Sequence, residues 1–162
     1  MLKRNDWSTV PEIEVDELPE HVCDYLEGLR KFANGLAGYY GQPVWLVGSV
    51  LLPSNSRPRD WDIRVVLPNE DFEMRFGALG EWAHDGLTGK WHEARWRWAD
   101  ENVKRSREAW RTLRLPVDFQ TMPVVSASAY RADMRFRLDT MPGELEEAIP
   151  DSGVFVLKRE VG

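Results

Sequence analysis

Apolar and polar positions alternate along this chain in several distinct rhythms, and each rhythm predicts an element. Val22, Leu26, Leu29, Phe32 and Leu36 recur every three or four residues. That spacing predicts a helix over 19–40, entered at Pro19 and stopped by Gly41, with its apolar face on a sheet. Val44, Trp45, Leu46 and Val47 form a short continuous apolar run between Pro43 and Gly48, the mark of a buried strand. Residues 60–67 predict a second strand and residues 115–121 a third. In the third, Leu115, Val117 and Phe119 leave by one face while Asp118 and Gln120 leave by the other. Asn69, as a cap before Glu70, Asp71 and Glu73, predicts a short helix ending near Gly77 or Gly80. Residues 84–90 read as a loop and 91–114 as a long helix, with Trp96, Ala99, Val103, Trp110 and Leu113 forming its core-facing stripe. Further on, 126–131 and 143–148 predict helical turns, and Val154, Phe155, Val156 and Leu157 a last strand that extends the sheet.

These elements predict an α/β (α+β) fold with a small mixed β-sheet and helices packed mainly on one face. Residues 1–17 are polar and acidic, which marks them as an arm over the surface anchored by Trp7 and Val10. Residues 18–162 form a single domain. A formal net charge of -6 argues against a general nucleic-acid coat protein and leaves room for a local basic groove. The one cysteine, Cys23, has no partner for an internal disulfide, and its place on the apolar helix face predicts a buried thiol in a reducing compartment. The N-terminal residues lead into an acidic stretch rather than an apolar one, so the expected compartment is the cytoplasm. His21, His84 and His92 have no metal-ligand spacing and are expected to be structural or exposed.

The chemistry concentrates between residues 44 and 67. A strand ending in Gly48-Ser49 places a residue that permits close backbone approach next to a hydroxyl, both suited to phosphate oxygens. Asp60 and Asp62 share a strand face, where two carboxylates repel unless a hard divalent cation lies between them. Asp118 is the third carboxylate if its strand pairs beside theirs. Three converging aspartates suit one or two Mg²⁺ or Mn²⁺ ions and two-metal phosphoryl transfer. Between turn and aspartates, Val50, Leu51 and Leu52 lead into a loop containing Pro53 and Pro58, with at most one helical turn. In that loop Arg57 and Arg59 either clamp phosphate or balance the neighbouring aspartates. Lys104, Arg107, Arg111 and Arg114 make a cationic edge on the long helix. It either guides a triphosphate tail or an RNA acceptor, or is a solvated face paired with Asp100, Glu101 and Glu108.

The combination of Gly48-Ser49, Asp60-x-Asp62 and a later strand Asp118 resembles the nucleotidyltransferase superfamily that includes DNA polymerase beta, over residues 44–67 and 115–121. The resemblance implies a metal-dependent enzyme that moves an NMP group from an NTP, ATP included, to a hydroxyl acceptor with release of pyrophosphate. Gly48 and Ser49 would contact the triphosphate, Asp60 and Asp62 would carry the metals, and Asp118 would be the third ligand or the base. The acceptor stays open between a small molecule, an RNA end and a protein side chain. Many small members of the family open a helix after the Gly-Ser turn, where this chain has its proline-containing loop. Two other readings follow from that departure and from the aspartates: a catalytically inactive nucleotide- or RNA-binding module on the same fold, and a metal-dependent nuclease.

Overall fold

The computed structural model describes residues 7–77, 93–124 and 133–140. Among these residues four strands form one mixed sheet: β1 (Trp45–Val47), β2 (Trp61–Leu67), β3 (Val117–Pro123) and β4 (Arg135–Arg137), in the order β3-β2-β1-β4. β1 runs antiparallel to both β2 and β4, whereas β2 and β3 are parallel. A parallel pair cannot be joined by a tight turn. The return between β2 and β3 contains α3 (Asn69–Phe76) and α4 (Glu93–Leu113), while α1 (Glu20–Cys23) and α2 (Leu26–Tyr40) precede the sheet.

Period-two alternation divides β2 between two surroundings. Trp61, Ile63, Val65 and Leu67 are buried in the main core with Leu29, Ala33 and Leu36 of α2, Phe72 and Phe76 of α3, and Phe119 of β3. Burial of such side chains contributes roughly 1.5–3 kcal/mol each. The opposite face carries Asp62, Arg64 and Val66, and a smaller apolar cluster there joins Trp7 and Val10 to Trp45, Val47 and Val66. Residues 7–13 are therefore seated on the sheet face away from the helices, with Trp7 and Val10 buried there. They also reach β4, where Ile13 N–H donates to Arg135 O at 2.9 Å and Arg135 N–H to Pro11 O at 2.9 Å.

Several boundaries differ from expectation. The predicted helix over 19–40 is two helices, because Tyr25 leaves helical geometry (φ -112°, ψ 5°) and sets its ring edge-on to Trp61, with ring centres 5.4 Å apart. α1 is then a single turn with only Val22 buried, and Cys23 is exposed rather than buried. Gly41 ends α2 as expected, in the left-handed conformation (φ 67°). Asn69 is the first residue of α3, with Pro68 in the capping position.

The stripe expected to bury α4 is the larger correction. Of that stripe Leu113 packs against the core, but Trp96, Val103 and Trp110 are exposed, and the inward face presents Trp98, Asn102 and Ala109 as well. Polar side chains face inward because α4 lies along the edge of β3. Ser106 Oγ accepts from Phe119 N–H at 3.0 Å, and Asn102 Oδ1 accepts from Thr121 N–H at 3.3 Å and Thr121 Oγ1 at 3.2 Å. The helix thus supplies the hydrogen bonds a further strand would have made. β4 falls where no strand was expected; its short Arg-Phe-Arg pattern is held by Asp139. That carboxylate accepts from Val44 N–H at 2.8 Å and takes both guanidinium contacts of Arg137, at 3.1 and 2.9 Å. The strand expected at 154–157, the turns at 126–131 and 143–148 and the loop at 84–90 lie outside the described residues.

Candidate functional site

The candidate site is built at one end of β1, β2 and β3. Val47, the last residue of β1, pairs with Asp62, and Asp62 pairs with Asp118 across the parallel ladder. Neighbouring strands lie about 4.8 Å apart, and register partners project their side chains to the same face. Asp62 and Asp118 therefore stand side by side, because the Asp118 strand pairs next to that of Asp62. Asp60 lies just before β2, exposed to solvent.

Gly48 follows directly on β1 with φ 87° and ψ -165°, a conformation that L side chains rarely adopt. A Cβ at this position would lie 2.7 Å from Asp62 Oδ2. The glycine accordingly serves two requirements, a backbone bend and room for a carboxylate pressed against it. Ser49–Leu51 then form one 3₁₀ turn, within the limit of at most one helical turn expected before the loop. Ser49 is exposed, and its Oγ accepts from Asn55 Nδ2 at 3.1 Å, which leaves the hydroxyl proton to point elsewhere. The turn is braced from below, because His21 Nε2 meets Val50 O at 2.7 Å and the His21 ring lies edge-on to Trp61. His21 is structural, as expected of it.

The electrostatics of the cluster are those of like charges held together. Asp62 is pushed up to about 6, first by burial and then by the charges of Asp118 and Asp60, with Arg64 pulling the other way. Asp118 is also raised, by burial of part of its carboxyl and then by Asp60, and is eased by a 3.3 Å hydrogen bond from Gln120 Nε2 and by Arg64. The structure thus brings the three predicted aspartates within mutual electrostatic reach. Among the described residues, no group of three or more His, Cys, Asp or Glu is arranged closely enough to hold a metal ion as it stands. The donor set is made of hard carboxylate oxygens, as Mg²⁺ and Mn²⁺ require, and a cation between the aspartates would offset the repulsion that adds to the effect of burial. Arg57 and Arg59 are exposed in the loop leading to Asp60.

Arg64 went unnoticed in the sequence although it lies two residues after Asp62 on the same strand face. It is 5 % exposed, and its guanidinium stands 5.7 Å from the centre of the Trp7 ring. Period two was the signal that could have found it: an arginine inside an otherwise apolar strand, at i+2 from a carboxylate, faces that carboxylate's side.

Beyond β3 the cationic edge of α4 divides. Lys104 pairs with Asp100 at 2.9 Å on the open surface. Arg107 and Arg111 instead border a cleft of about 590 Å³ between α4 and β3, whose wall also includes Trp110, Ser106 and Asp118. Arg114 stands 5.9 Å from the centre of the Trp110 ring. No helix among the described residues is long and apolar enough to cross a membrane. In comparisons with known proteins, the chain matches no family model, no curated protein and no solved structure.

Proposed function

We propose that this protein is a metal-dependent nucleotidyltransferase of the cytoplasm on a nucleotidyltransferase-like fold, moving an NMP group from an NTP to a hydroxyl acceptor. The observation that carries the reading is the register of Val47, Asp62 and Asp118 across three strands, with Gly48 left open against the Asp62 carboxylate. A row of phosphate turn, paired carboxylates and third carboxylate is what in-line phosphoryl transfer uses.

In this mechanism the backbone after Gly48 and the outward hydroxyl proton of Ser49 bind the β- and γ-phosphates, and Arg57 and Arg59 close over them from the loop. Asp60, Asp62 and Asp118 would hold Mg²⁺ or Mn²⁺, which when bound neutralises phosphate oxygens and lowers the pKa of the acceptor hydroxyl. Asp118 orients that hydroxyl and takes up its proton. The acceptor oxygen forms a bond to the α-phosphorus, the bond from that phosphorus to the bridging oxygen breaks, and pyrophosphate leaves with the electron pair.

One observation favours a second reading on the same fold. Only a single 3₁₀ turn follows Gly48-Ser49, so the phosphate end is short, which suits a module that binds nucleotide or RNA without turnover. Thermal midpoints with each of the four NTPs and Mg²⁺ or Mn²⁺ test the site, in wild type and in Asp60→Asn plus Asp62→Asn. Metal-dependent stabilisation that is lost in the double variant is the expected result. Pyrophosphate release by wild type and its loss in Asp118→Asn then separate transfer from binding. No shift with any NTP would sink both readings, and metal-dependent cleavage of RNA without NTP would point to a nuclease instead.

A further inference from the structure

The cleft between α4 and β3 lies on the side of the carboxylates away from the Gly48-Ser49 turn. The turn ends β1, the paired aspartates belong to β2 and β3, and the cleft opens beyond β3 at the sheet edge. Two strand spacings, about 10 Å, separate the two sides. In an in-line displacement the attacking and leaving oxygens stand on opposite sides of the phosphorus. If pyrophosphate leaves toward the turn, the attacking hydroxyl comes from the cleft.

The wall of the cleft says what chemistry it takes. Trp110 is 50 % exposed, an expensive placement for a large indole on a helix whose inward face holds Asn102 instead. Flanking it, Arg107 and Arg111 engage no carboxylate among the described residues, whereas Lys104 on the same edge is paired with Asp100. An aromatic face beside two guanidinium groups matches a ring that carries a phosphate. The volume, about 590 Å³, falls within the range of small-molecule sites.

We infer that this cleft is the acceptor site and that it takes a nucleoside phosphate. The base stacks on Trp110, the phosphate lies between Arg107 and Arg111, and a sugar hydroxyl faces Asp118. This inference rests on the transferase reading of the aspartates, and it adds the class of acceptor to it. The chemistry is shared by a free mononucleotide and by the end of a single strand. Trp96 and Val103 continue the exposed face of Trp110 at i-14 and i-7, so a strand would find further apolar surface along α4 while a mononucleotide would not.

The test uses the full chain with Mg²⁺ and a non-cleavable α,β-methylene NTP. Calorimetric titrations measure binding of AMP and of a short oligoribonucleotide with a free 3′-hydroxyl to wild type, Trp110→Ala and Arg107→Gln plus Arg111→Gln. All three positions are exposed or at the cleft wall, so the fold is retained, and the midpoint shift with NTP reports the donor site separately. The expected result is binding alongside the NTP analogue, weakened at least tenfold in both variants with the NTP shift unchanged. Tighter binding of the oligonucleotide, reduced further by Trp96→Ala, identifies a strand end; equal binding identifies the free nucleotide. Competition between AMP and the NTP analogue would overturn the inference by making the cleft the donor's base site. An intact NTP shift with no AMP or oligonucleotide binding would overturn it and leave the transferase reading standing. AMP binding without any NTP shift would mean that the transferase reading itself has failed, and the acceptor assignment with it.

Discussion

At the scale of single residues, Asp62 is where structure and solution behaviour meet. Burial and the neighbouring carboxylates push its carboxyl up to about 6 from an ordinary 3.8, so between those values the native state binds more protons than the unfolded one. Stability from this group is therefore greatest at acid pH and falls as pH rises through 6. Asp62→Asn should stabilise the metal-free protein at pH 7.5 by on the order of 1 kcal/mol after allowance for solvent screening, read as a higher thermal midpoint. It should also flatten the pH dependence between 4.5 and 7, as melts in EDTA across that range would register. Mg²⁺ should act in the opposite sense, stabilising wild type more at pH 7.5 than at pH 5. Gly48→Ala tests the neighbouring constraint. With φ 87° and a Cβ 2.7 Å from Asp62 Oδ2, the variant should lose about 1–2 kcal/mol in denaturant unfolding and with it the response to metal and NTP. These residues were legible in the sequence because each obeys a local rule: a glycine at a bend, carboxylates at i and i+2. Arg64 is legible only in part: period two places it on the Asp62 face, but its purpose shows once Trp7 and the aspartates are seen around it.

At the scale of elements, α4 shows how an apolar pattern misleads. The period of its tryptophans is helical, and a helix forms, but Trp96 and Trp110 face solvent. What turns the helix is hydrogen bonding: Trp98 Nε1–H donates to Thr121 O at 2.8 Å, and Asn102 and Ser106 satisfy N–H groups of β3. A sequence reading that counts only apolar residues discards those polar positions as outward, although an uncovered strand edge requires them. Asn102→Leu should therefore be costly despite its added apolar surface. Thr121 would keep a buried N–H and hydroxyl without a partner, a loss of about 1–3 kcal/mol by denaturant unfolding, whereas Val103→Ala on the exposed face should change stability by less than about 0.5 kcal/mol. The break between α1 and α2 has a similar origin. Propensity runs straight through Tyr25, and the contact of its ring with Trp61 overrides it.

At the scale of the whole molecule, the sheet separates two duties. Its helix-covered face holds most of the core, and its other face carries the carboxylate pair and the arm. Trp7 is 9 % exposed, edge-on to Trp45 with ring centres 6.0 Å apart, and Arg135 stands 4.7 Å from its ring centre. Trp7→Ala should cost about 3 kcal/mol in chemical unfolding, and because Arg64 shares that ring, the Asp62 titration followed by NMR should move as well. The mixed sheet and the one-sided helices were readable from alternating periods. The antiparallel return of β4 was not, because three residues held by a buried Asp139 give no periodic signal. The same arrangement decides how the chain can meet others. On one flank, Ser106 and Asn102 already occupy the outward amides of Phe119 and Thr121; on the other, Pro11 and Ile13 hold both backbone groups of Arg135. Backbone zippering of a foreign chain onto either margin is blocked at these positions, which guards against amyloid-like stacking. A partner meeting these margins then has side chains rather than backbone to recognise, and the largest exposed ones among the described residues, Trp96 and Trp110, lie along α4.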